Sequence, residues 1–138
     1  MASNRLKSLI SEVEDGATIL AELSTQLSKQ IQSFEALLNR LPGKVAVRVP
    51  AHTGEALILA RSSPESWSLY FAAHAGAEPI RLTTNASIEM KVKSVALFEP
   101  LVQHLSVFQR VKIAELKIAC DTMSRLAEQL QLGKAEGQ

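Results

Sequence analysis

From Leu6 to Leu41 an apolar or small residue recurs at alternating steps of four and three: Leu6, Ile10, Val13, Ala17, Leu20, Ser24, Leu27, Ile31, Phe34, Leu38 and Leu41. Ser24 is the one polar member of the series. A spacing of ~3.5 residues keeps a seam on one side of a helix that coils around a partner. The pattern predicts one long helix over residues 3–41. Ser3 is expected to cap it, because its hydroxyl can accept a free amide of the first turn. Pro42 and Gly43 are expected to end it. A helix of roughly 54 Å at ~1.5 Å per residue needs tertiary support along its length. Gly16 is its weak point, costing ~1 kcal/mol against alanine. Leu9, Leu23 and Leu37 sit one position ahead of seam residues and widen the stripe, which suits a helical bundle better than a bare two-stranded coil.

The period then changes from helical to alternating. Lys44 to Val49 places Val45, Val47 and Val49 on one face, the signature of a half-buried strand. Glu55 to Arg61 and Trp67 to Ala73 read as further strands, and Pro79 to Leu82 as a short fourth whose proline suits an edge. The segments between them hold turn residues, including Gly54, Pro64 and Gly76. Short strands joined by short turns predict an antiparallel meander over residues 44–83.

Helical spacing returns at residue 86. Thr84 or Asn85 is expected to cap a helix over 86–98, with Ile88, Val92 and Val95 covering the sheet. Pro100 is expected to interrupt it, fitting better as the first turn of a new helix over 101–132. Gly133 would supply a left-handed stop, leaving 133–138 as a frayed tail. This last helix carries two apolar stripes. One is Ile113, Leu116, Cys120, Met123, Ala127 and Leu130. The other is Val107, Val111, Ala114 and Ile118. A helix apolar on two sides touches two partners. The expected fold is therefore α+β: two long helices, coiled-coil or bundle-like, flanking a small antiparallel four-stranded meander with one covering helix. All 138 residues would form a single domain. No family motif matches residue by residue. The element order alone is similar to that of prefoldin-type chaperone subunits.

Composition narrows the function classes. The net charge is +1, and each third of the chain is close to neutral, so no strong field recruits nucleic acid or an anionic membrane. Nothing in Met1 to Lys7 reads as a signal peptide, and no apolar run approaches the ~18 residues of a membrane span. The single cysteine, Cys120, cannot form an internal disulfide, which makes a reducing, cytoplasmic location the default. On its apolar stripe Cys120 is expected to be packed and inert.

Chemistry-bearing residues are sparse. His52 and His74 fall in the first and third turns, at one end of a meander, with Glu55 and Glu78 nearby. The paired spacing of a metal site is missing, so they are read as solvated turn residues. Ser62, Ser63 and Ser66 flank a proline turn and lack a nucleophile elbow. Gly43-Lys44 lacks the rest of a phosphate loop. Arg48, Arg61, Arg81, Lys91, Lys93, Arg110, Lys112 and Lys117 could track phosphates, but acidic residues are interleaved and aromatics are only 4%. No catalytic, cofactor or metal residue is assigned. The leading expectation is a non-enzymatic scaffold, with a homodimer favoured. Leu20, Leu27, Ile31, Phe34, Leu38, Leu116 and Met123 would carry assembly, and a partner surface would lie around His52, Thr53, His74 and Glu78. A nucleic-acid-associated regulator is the alternative.

Overall fold

The computed structural model describes residues 2–136. It contains a helix α1 (Ala2–Arg40), strands β1 (Val47–Pro50), β2 (Ala56–Ser63), β3 (Ser66–Ala72) and β4 (Ile80–Arg81), and a helix α2 (Ile88–Glu136). The four strands form one antiparallel sheet in the order β1-β2-β3-β4. The α+β class with two long helices around a four-stranded meander is thus the observed architecture. Internal contacts divide the chain into two compact units, Met1–Leu101 and Val102–Gln138.

The first unit holds the sheet, α1 and the start of α2. Alternation along the strands puts Val49, Leu57, Leu59, Leu69, Phe71 and Leu82 in the core, all but inaccessible to water. Register confirms the layer: Val49 lies opposite Leu57, Leu57 opposite Phe71, and Leu59 opposite Leu69. Ile31 and Leu38 of α1 and Leu97 and Leu101 of α2 are also buried. Phe34 meets Phe98 edge to face, with ring centroids 4.9 Å apart.

One contact was not legible in the sequence. Strand β4 pairs only with Tyr70 and Phe71, and Leu82 adds a bond to the Leu69 carbonyl. The backbone of β3 from Trp67 to Leu69 runs past it. There α1 supplies what a strand would. The Trp67 amide donates to Asn39 Oδ1 at 2.8 Å, and Asn39 Nδ2 donates to the Trp67 carbonyl at 2.8 Å. The Leu69 amide donates to Glu35 Oε2 at 2.9 Å. Glu35 and Asn39 stand four apart, so they share a helix face and reach alternate residues of the strand.

Element boundaries differ from expectation for local reasons. Ser3 is already inside α1, which begins by Ala2. Helix α1 stops at Arg40, and Lys44 Nζ donates to the Asn39 and Leu41 carbonyls. Lys44 therefore serves the helix end, and β1 starts at Val47 rather than at residue 44. The N-cap of α2 is Ser87, whose hydroxyl accepts from the Met90 amide; Asn85 and Ala86 instead turn back onto the Arg81 carbonyl. Strands β2, β3 and β4 differ from their expected ends by one or two residues.

The largest correction concerns α2. The expected helices over 86–98 and 101–132 are one helix, with Pro100 inside it. Leu97 and Leu101 on either side of the proline are both buried, and their packing offsets the ~3 kcal/mol that an interior proline costs. Its inner face is also not the expected one. Ile88, Val92 and Val95 are exposed, whereas Ser94 is buried beside Leu97 and Leu101. Ser94 tolerates burial because its hydroxyl donates to the Lys91 carbonyl of the same helix. Gly133 is not a stop either: α2 continues to Glu136, and Gly133 is absent from the glycines with positive φ. The remainder of the expected frayed tail, Gly137 and Gln138, lies outside the described residues.

Replacing Asn39 with alanine removes both bonds to Trp67. Asn39→Ala should lower unfolding stability by about 1–3 kcal/mol in a urea titration. Gln32→Ala, exposed on the same helix, should leave the midpoint unchanged.

Candidate functional site: exposed seams and the turn end of the sheet

The expected assembly residues fall into two groups. Ile31 and Leu38 are buried within the first unit, and Leu27 and Phe34 are half-buried. Ile31 and Leu38 thus belong to the core of the first unit. Leu20, Leu116 and Met123 are 68%, 57% and 65% exposed. Toward the N-terminus of the first seam Leu6, Ile10 and Val13 are exposed, as are Leu9 and Leu23 beside it, although the helix itself is unbroken.

The second unit, described by itself, is helix. Val107, Val111 and Ile118 of one stripe and Ile113, Leu116, Met123 and Leu130 of the other are all exposed. Cys120, expected to be packed, is exposed as well. The grooves lined by Glu22, Phe34 and Leu37 on α1, and by His104, Val107 and Val111 on α2, each draw every lining residue from a single helix. They are helix surfaces rather than enclosed clefts of the kind that hold small substrates.

The turn residues lie where the meander predicts. Pro50 pairs with Ala56 and Ala56 with Ala72, so the first turn (51–55) and the third (73–79) leave the same end of the sheet. The turns also run close together: Gly54 has φ +91°, and a Cβ placed there would lie 3.6 Å from the Ala75 amide nitrogen. His52, Thr53, His74 and Glu78 are exposed at this end of the sheet. Their side chains do not converge on a common ligand. His74 Nδ1 lies 3.0 Å from the Ala75 carbonyl, and the Glu55 carboxylate pairs with Lys93 of α2 at 3.6 Å. Among the described residues no group of three potential ligands is placed to hold a metal.

The remaining polar candidates are engaged locally. Ser62, Ser63, Ser66 and Ser68 form a hydroxyl network at the β2–β3 hairpin, where the register shifts between Arg61 and Ser63. Lys91 Nζ donates to Ser28 Oγ at 2.9 Å, and Ser28 Oγ in turn donates to the Ser24 carbonyl. This ties α2 to α1 and commits the serine proton to its own helix. Among the basic residues, Lys93 pairs with Glu55 and Glu89, Lys112 with Glu115, and Arg81 reaches Glu35 at 4.0 Å. Arg61 lies over the Trp67 ring at 5.4 Å. Such pairing breaks up a continuous phosphate-tracking face. No helix among the described residues is long and apolar enough to cross a membrane.

A comparison with known proteins finds no matching family model, no similar curated protein and no similar solved structure.

The Gly54 turn yields a direct check. Gly54→Ala forces a side chain onto a backbone with φ +91°, which L residues rarely adopt. It should cost about 1–2 kcal/mol in thermal or chemical unfolding.

Proposed function

We propose that this protein is a non-enzymatic, self-associating scaffold that assembles through its long helices and offers its β head to a partner. The observation that supports this is the exposure of two apolar seams with coiled-coil spacing. Leu6, Ile10, Val13 and Leu20 open to water on α1, and Ile113, Leu116, Met123 and Leu130 do so on α2. Regular 3.5-residue spacing has no use on a solvated face, and apolar stripes of this length are a liability unless covered. Magnitude favours using both. Covering four aliphatic side chains contributes roughly 6–12 kcal/mol. Association costs about 4–15 kcal/mol in lost motional freedom, so one short seam is marginal and a pair of seams is ample. A homodimer is the simplest closed assembly such faces form.

Head and seam separate cleanly by mutation. Leu20→Asp and Leu116→Asp should reduce the mass in solution to that of a monomer, read by sedimentation or light scattering, with the near-ultraviolet signal of Trp67 retained. Ile31→Asp, by contrast, should unfold the head, since it sets a charge into a side-chain environment only 4% accessible. A wild-type monomer at micromolar concentration overturns the proposal.

A further inference from the structure

The open seam of α2 maps onto itself when its direction is reversed. Ile113, Leu116, Cys120, Met123, Ala127 and Leu130 are all exposed and follow steps of three, four, three, four and three. In a heptad frame they alternate between a and d positions, beginning with Ile113 at a. Two antiparallel copies set a positions beside d positions. A two-fold axis between residues 121 and 122 therefore places Ile113 beside Leu130 of the second copy, Leu116 beside its Ala127, and Cys120 beside its Met123. The two inner layers each join a larger side chain to a smaller one, which fills the seam without overpacking.

The residues flanking the seam decide its direction. Lys112 precedes Ile113 and Lys117 follows Leu116, so they border the seam on opposite sides. In a parallel pair in register these are the positions that face each other, and Lys112 of each copy meets Lys117 of the other. Two like-charge contacts oppose that arrangement. Lys112 has Glu115 of its own helix at 3.5 Å, both well exposed, and Lys117 forms no ion pair among the described residues. Reversing one helix removes both clashes: Lys112 then faces Gly133 of the second copy, and Lys117 faces its Ser124. Reversal also sets the exposed Leu126 against Ala119 rather than Gln131, which widens the apolar contact.

We propose that α2 pairs with α2 of a second copy, antiparallel, over residues 113–130. This rests on the reading that the chain self-associates through its helices, and it names the helix, the direction and the register. The open α1 seam of another copy is a poorer match. It has five members from Leu6 to Leu20, bounded at seam spacing by Ser3 and Ser24, so covering all six α2 positions with it draws a serine into the seam. Pairing of α2 with itself covers the α2 seams of both copies at once.

Disulfide trapping on the full chain tests direction and register. On a Cys120→Ala background, one preparation carries Leu116→Cys and another Ala127→Cys; both positions are exposed, so the buried core is untouched. The two are oxidised separately and after mixing and subunit exchange. The mixture should give a cross-linked dimer. Neither preparation should do so alone, because like positions stand eleven residues, or ~16 Å, apart along an antiparallel pair. The wild-type chain mixed with the Cys120→Ala, Met123→Cys variant supplies a second opposed pair that leaves Leu116 in place, and it should cross-link as well. Cross-linking of the Leu116→Cys or Ala127→Cys preparation alone reveals a parallel pair and overturns the proposal. A wild-type dimer by sedimentation, with cross-linking at neither opposed pair, also overturns it and leaves the scaffold reading standing. A wild-type monomer overturns both.

Discussion

The structure depends on a join between a helix and the edge of a sheet. A strand edge with unpaired amides and carbonyls is costly to bury and prone to pair with other chains. Strand β4 is only two residues long and leaves most of the β3 edge uncovered. Glu35 and Asn39 close that edge with three hydrogen bonds to Trp67 and Leu69. The bonds also set the position of α1 along the strand. That position decides which seam residues, Ile31 and Leu38 among them, enter the core. A side-chain amide paired with both backbone groups of one residue reproduces the geometry of an adjacent strand, so the contact carries direction as well as energy.

A consequence is that one apolar seam serves two purposes along its length. Where α1 lies on the sheet, the seam is core. Beyond the reach of the sheet, the same periodic face continues with nothing from the head to cover it. Helix α2 shows a similar change. Leu97 and Leu101 belong to the head, and the stripes from Val107 onward are open. The change follows from dimensions. A four-stranded sheet of short strands is far shorter than a helix of 39 or 49 residues. Small folded heads therefore cannot bury long helices, and the excess apolar face stays open.

The polar groups divide in the same way. Within the head they are spent on structure: Lys44 on the end of α1, Lys91 on Ser28, and Ser94 on its own helix. His52, His74 and Glu78 remain at the surface, while Glu55 is half-buried and paired with Lys93.

Much of the fold could be read from the sequence by itself, because periodicity is a local property. The 3.5-residue spacing marked α1, alternation marked the strands, and the turn residues between them implied a meander with His52 and His74 at one end. What escaped were decisions made between elements. Pro100 reads locally as a break, yet burial of Leu97 and Leu101 carries the helix through it. Ile88, Val92 and Val95 form the better apolar stripe, yet the face that turns inward holds Ser94, because a hydroxyl satisfied by its own helix can be buried at little cost. Glu35 and Asn39 look like ordinary polar residues of a helix, since nothing in a one-dimensional pattern announces an open strand edge many residues away. The sequence determined which segments are helix and strand and which faces are apolar; the tertiary structure alone decided which of those faces are used inside the chain, because burial is settled by the size and placement of neighbouring elements rather than by the residues themselves.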